Sequence, residues 1–125
     1  MSSREISNDQ LGEFGPLNSY QRRVLDTLLG AKFQGRDALV EQSRFVQARE
    51  IDMNGSLQFA PIDQPRADVG RRIPVEAETE DVDGVMIHIL LHVLDGRMNE
   101  LEVYREDSQE IRSSPDPGTF RLLVL

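Results

Sequence analysis

Hydrophobic periodicity divides the chain near Arg44. Before that point apolar residues recur every three to four positions. In "PLNSYQRRVLDTLLGAKF", Tyr20, Val24, Leu28 and Ala31 form one stripe, widened by Leu17, Leu25 and Leu29. This is the spacing of a core-facing helix. Asn18 offers a capping oxygen and Gln21 stands three residues on, the capping-box pattern. Gly30 is either an interior glycine or the helix stop. A shorter helix is expected over "GRDALVEQS" (35–43), with Ala38, Leu39 and Gln42 on neighbouring turns.

From Arg44 onward the period is two. "RFVQAREIDM", "SLQFAPI", "PVEAETEDV", "VMIHILLHVL" and "NELEVYRE" read as strands, separated by Asn54-Gly55, a proline-rich loop, Asp83-Gly84 and Asp95-Gly96. Asn-Gly and Asp-Gly are strong hairpin signals. The apolar positions Phe45, Ile51, Met53, Leu57, Phe59, Val75, Ala77, Val85, Ile87, Ile89, Leu91, Val93, Leu101 and Val103 are all odd-numbered. A two-residue loop would pair odd with even and bury acids, because a one-residue slip turns every side chain over. Three-residue loops, or a bulge beside each turn, keep odd opposite odd. The expected neighbours are then Ile51 with Phe59, Ala77 with Leu91, and Leu91 with Val103. The fold expected is α+β: two N-terminal helices packed on one face of a mostly antiparallel, roughly five-stranded sheet. One domain spans 1–125, with a flexible N-terminus (1–15), a helical part (16–43), the sheet (44–112) and a linker with an apolar tail (113–125). That tail, "TFRLLVL", would be an aggregation liability if free, so an edge strand or a dimer contact is expected.

Composition narrows the partners. A chain of 125 residues is one domain by length and buries enough surface for a self-sufficient core. Cysteine is absent, which removes disulfides and thiolate metal sites. "MSSREISNDQ" lacks the apolar run of a secretory signal, and "VMIHILLHVL" is too short and polar to span a bilayer. A cytoplasmic protein without membrane contact is expected. The net charge is −8, from 22 acidic and 14 basic side chains. Such a chain repels a phosphate backbone, so direct nucleic-acid binding is not expected, whereas basic proteins are attracted. The charge is uneven: 74–83 carries five acids and no base, and 99–110 carries five acids against Arg105 alone. Solubility is the plain explanation of that excess, and partner binding the sharper one.

The expected register places the candidate chemistry on the even-numbered face. There His92 lies between Glu76 and Glu102, His88 lies near Glu80 and Glu106, and Leu90 lies between Glu78 and Tyr104. Imidazoles among carboxylates relieve like-charge repulsion between strands. His88 and His92 are four apart, roughly 13 Å along a strand, so one zinc ion with bonds of about 2.0–2.1 Å cannot take both. A mixed site of His92 with Glu76 and Glu102 stays geometrically open, as does acid–base work by the same pair if a cleft were present. The pattern lacks a nucleophile elbow, a phosphate-binding glycine loop and a metalloprotease motif. Asp81-Val82-Asp83-Gly84 looks superficially like a calcium loop without its remaining ligands. Neither catalytic residues, nor a metal, nor a cofactor is expected. The long connection 61–73 carries Arg66, Arg71 and Arg72, which either clamp the acids internally or meet a partner.

The strand block "IPVEAETEDVDGVMIHILLHVLDGRMNELEVYRED", with "YQRRVLDTLLGAKFQGRDALVEQ" upstream, resembles a family of small, largely uncharacterised bacterial proteins. The shared pattern falls at Glu80, Asp83-Gly84, Leu90 to Val93, Asp95-Gly96, Asn99 to Glu102 and Tyr104-Arg105, and the resemblance covers roughly residues 17–112. The family usually has a glycine near position 108, where this chain has Ser108. Some members are immunity proteins of polymorphic or contact-dependent growth inhibition toxins. The resemblance therefore implies a non-enzymatic immunity protein that neutralises a basic toxin, in particular a nuclease. The expected partner surface is Glu76, Glu78, Glu80, Asp83, Glu100, Glu102 and Tyr104, with Arg66, Arg71 and Arg72 at its rim. The alternatives are a small acidic domain that binds an unrelated protein or forms a homodimer, and a His/Glu-dependent enzyme.

Overall fold

The computed structural model describes residues 11–125. Of the stretch expected to be flexible, residues 1–10 lie outside the described residues, and Gly15 already enters a strand. The elements in chain order are β1 (Gly15–Pro16), α1 (Ser19–Leu29), α2 (Arg36–Ser43), β2 (Gln47–Glu50), β3 (Leu57–Phe59), β4 (Val75–Glu80), β5 (Met86–Leu94), β6 (Arg97–Arg105) and β7 (Arg121–Val124). The class is α+β, and the strands form one sheet in the order β1-β2-β3-β6-β5-β4-β7. Every neighbouring pair is antiparallel. Among the described residues the sheet thus has seven strands rather than about five, because a two-residue β1 and the C-terminal tail add one to each edge. Among the described residues no helix is long and apolar enough to cross a membrane.

Local sequence accounts for the helices. Asn18 caps α1 by accepting from the Gln21 N–H at 2.8 Å, while the Gln21 side chain accepts from the Asn18 N–H at 2.9 Å. Gly30 is the C-cap. Val24, Leu25, Leu28 and Leu29 of α1 and Leu39 of α2 share one buried cluster with Val75, Ala77, Ile87, Ile89, Leu91, Val93, Leu101 and Val103. The odd-numbered face of β4, β5 and β6 is therefore the core face.

The hairpins show why that parity holds where it does. Glu80 opposes Met86 across five turn residues, an odd number. The tight turn at Asp95-Gly96 is compensated by a bulge between His92 and Val93, so Leu91 opposes Leu101 while Met98 becomes buried opposite Val93. Both registers sit two residues from those expected: Ala77 faces Ile89, and Leu91 faces Leu101. A shift of two preserves the faces. The first hairpin does not keep odd opposite odd. Ala48 faces Phe59 and Glu50 faces Leu57, so six residues intervene and the buried side of β2 is even-numbered. Val46 and Ala48 enter the core, Phe45 and Met53 are 57% and 65% exposed, and Ile51 does not pair with Phe59.

Buried polar groups tie the connections down. Gln42, fully buried on α2, donates to the carbonyls of Pro65 and Gly96 and accepts from the Met98 N–H at 3.1 Å. The 61–73 loop is thereby fastened to α2 and to the β5–β6 turn. Gly96 has a φ of +73°, and a Cβ there would stand 2.7 Å from the Arg66 Cβ. Only glycine suits both constraints. Asn54 accepts from the Ile111 N–H, and Ser56 bonds both the N–H and the carbonyl of Val103.

Candidate functional site

Strand alternation and the observed register bring the even-numbered side chains of β4 and β5, and those of β6 from Glu100 onward, onto one face. His88 stands between Glu78 and Tyr104, and Leu90 stands between Glu76 and Glu102. His92 stands opposite Glu100. The histidines nevertheless reach the expected acids diagonally. His92 Nε2 lies 2.8 Å from Glu102 Oε1, and His88 Nε2 lies 3.0 Å from Glu106 Oε1. The His88 ring also stacks on Tyr104, with centroids 5.0 Å apart and 20° between planes. Glu76 stands opposite Leu90 rather than His92, and Glu80 opposite Met86 rather than His88, so each is placed diagonally to the histidine it was expected to face.

Each member of the face is partly shielded by its neighbours, with consequences for titration. Burial, with smaller repulsion from Glu102 and Asp52, pushes the Glu100 carboxyl up, against the opposing pull of His92 and Arg72. Burial and the surrounding Glu76, Glu102 and Glu106 push the Tyr104 hydroxyl up. Cations are sparse here. Arg121, from the tail strand, approaches Glu78 at 3.6 Å. Nothing in the isolated "TFRLLVL" signalled this role, which follows from β7 pairing with β4.

Potential ligand atoms of His92, Glu100 and Glu102 lie within 4.8 Å of one another. These are the groups that could face a cation, with Glu100 in the place where the sequence pointed to Glu76. Nitrogen and carboxylate donors of this kind suit zinc or a similar divalent ion. His92 Nε2 is engaged by Glu102, and its Nδ1 is buried without a hydrogen-bond partner. A cavity of about 90 Å³ lies on the opposite, core side, walled by Val24, Leu57, Ile89, Leu101, Val103 and Phe120 among others.

Asp83 is drawn away from the face. Arg105, with a side chain only 2% exposed, donates to both carboxylate oxygens of Asp83, to both of Asp107, and to Asp81 Oδ2, all at 2.8–2.9 Å. Burial would raise the Asp81 carboxyl, but the N–H groups of Arg112 and Val82 and the Arg105 guanidinium hold it below its ordinary value. Hydrogen bonds from Arg105 likewise lower Asp83, and lower Asp107 to about 2. The Asp81–Gly84 turn is thus organised by an arginine. Sequence reasoning missed this cluster, because only the pairing of β4 with β5 and of β5 with β6 closes the "DVDG" and "YRED" turns at the same end of the sheet.

The three loop arginines do not act together. Arg66 pairs with Asp95 at 3.4 Å, away from the acidic strands. Arg71 and Arg72 are exposed, and Arg72 lies near enough to Glu100 to favour its ionised form. The Arg72 carbonyl accepts from the Val93 N–H at 2.7 Å, which places the end of the loop beside the bulge.

The family described as a domain of unknown function (DUF6984) covers residues 15–115. No curated protein and no solved structure matches the chain.

Proposed function

We propose that this chain, which belongs to the DUF6984 family, is a non-enzymatic immunity protein that neutralises a basic toxin through its acidic sheet face. The observation that carries the reading is the side-by-side placement of Glu76, Glu78, Glu100 and Glu102 around Tyr104, His88 and Leu90 on three adjacent strands. Long-range attraction to carboxylates steers a basic partner, while the aromatic and aliphatic side chains provide area that can be buried on contact. A nuclease domain, shaped to hold phosphates, is the partner class that best complements such a surface. Arg71 and Arg72 border the face at Glu100, and Glu80 extends it toward the β4–β5 turn. Arg66 pairs with Asp95, and Asp83 is held by Arg105.

The test is protection. An immunity gene should follow the gene of its toxin, so the reading expects a toxin domain encoded directly upstream, to be co-expressed with the wild-type chain or with Glu78→Lys/Glu102→Lys. Wild type should restore growth and the double reversal should not, while its circular dichroism and melting stay those of the folded protein. Protection that survives both substitutions would remove the acidic face from the mechanism. Absence of protection by the wild type would reject the immunity reading itself.

A further inference from the structure

β7 is an edge strand whose one charged residue, Arg121, is drawn toward Glu78 of β4 rather than guarding the outer edge. It contains neither proline, lysine nor a bulge, and Leu122, Leu123, Val124 and the following Leu125 are 37–51% exposed. Among the described residues no strand pairs with its outer side. The opposite edge, β1, is only Gly15–Pro16, and proline cannot donate to a ladder. Among the described residues the sheet therefore has one open edge and one blunted edge.

We infer that β7 pairs with β7 of a second copy, antiparallel about a two-fold axis at Leu123, to form a closed homodimer. The backbone directions select this register. The Leu125 N–H donates to the Pro74 carbonyl at 3.0 Å, and Leu123 opposes Glu76. The N–H and C=O groups of odd-numbered β7 residues thus point at β4, and those of Leu122 and Val124 point outward. Antiparallel pairing about Leu123 sets Leu122 against Val124 twice, so every outward group finds a partner. Leu123 then meets its own copy in a non-hydrogen-bonded position, with Cα atoms roughly 4.5 Å apart.

Side chains agree with that register. Leu122 and Val124 oppose Ala77 and Val75 and continue the core face, so the four copies of these residues would cover one another. β7 bears no carboxylate side chain in a chain of net charge −8, which makes it a strip where two such molecules can meet. On the acidic face the second copy's Arg121 would stand opposite Leu125. That is roughly 12 Å, Cα to Cα, from Glu76 of the first copy by strand spacing, within the joint reach of the two side chains. Consuming the one open edge also ends the assembly at two, since a head-to-tail array would need β1. Both acidic faces would lie on the same side of the joined sheet.

The chain has no cysteine, so Leu123→Cys introduces a single thiol. Mild oxidation should convert this variant to a disulfide-linked dimer, while Leu94→Cys, 50% exposed at the β5–β6 turn, should remain uncross-linked. In sedimentation equilibrium the wild type should rise with concentration from 14.2 kDa toward twice that mass. Leu123→Lys should stay at the lower value with an unchanged far-UV spectrum. Added salt should preserve or favour the dimer by screening two negative molecules, the opposite of its effect on a basic partner, so the two readings fail separately. A wild type monomeric throughout, species larger than a dimer, or cross-linking of Leu94→Cys as readily as Leu123→Cys would each overturn the inference.

Discussion

Single positions already separate packing from chemistry. Leu91 is fully buried at the centre of β5, facing Leu101 on one side and the helix-lined core below. Leu91→Ala should cost about 2–5 kcal/mol through lost burial and a residual cavity, measurable by urea unfolding. A loss below about 1 kcal/mol would be too small for that cavity. Ser108 illustrates the opposite case. Its φ is +66°, and its N–H closes a turn onto the Arg105 carbonyl at 2.9 Å. The left-handed region costs an ordinary L residue about 1–2 kcal/mol, offset in part by the entropy that glycine loses on folding. Ser108→Gly should therefore stabilise the protein by up to about 1 kcal/mol. Equal or lower stability on chemical denaturation would count against that account.

At the scale of elements, two turns and the end of a strand meet at Arg105. It holds Asp81 and Asp83 from the β4–β5 turn and Asp107 from the turn after β6. All three carboxyls titrate below their ordinary values in the folded protein, Asp107 at about 2. A lowered folded-state value means that the unfolded chain takes up protons first as the solution is acidified. The stabilisation is complete above the ordinary carboxylate range near pH 4 and is lost as pH falls from there toward about 2. Acid unfolding should fall in that window. Asp107→Asn should lower stability at neutral pH and flatten the pH dependence of the urea midpoint between pH 4 and 2. Dependence as steep as in the wild type would place its origin elsewhere.

For the whole molecule, charge and sheet architecture act together. Placing the acids of β4 and β6 on either side of β5 concentrates a net negative field over one broad face. Association with a basic partner should be fast at low ionic strength and slow markedly as salt approaches about 0.15 M, where screening acts over roughly 8 Å. Stopped-flow association rates at several salt concentrations would show this, and a rate indifferent to salt would argue for docking on the helices or loops. Glu78→Lys/Glu102→Lys should reduce the association rate and its salt dependence together.

Much of this organisation was legible in the chain itself. Asn18 and Gln21 define the start of α1 by their own hydrogen bonds, and alternation from Val75 to Val103 assigns the buried and solvent faces of β4, β5 and β6, because both are local properties of backbone geometry. The acidic character of one face followed from the same parity. Register did not follow, since moving a strand by two residues leaves the pattern of faces unchanged. Only the lengths of the turns and the His92–Val93 bulge determined that His92 meets Glu100 rather than Glu76. The β2–β3 turn likewise reversed the parity of Val46 and Ala48, against an apolar pattern that Phe45 and Met53 had made look odd-numbered. Arg105 and its three aspartates, and Arg121 beside Glu78, join residues up to 43 positions apart. Such pairings are decided when strands distant in sequence become neighbours, because charge and periodicity along the chain say which groups seek partners but not which ones arrive together.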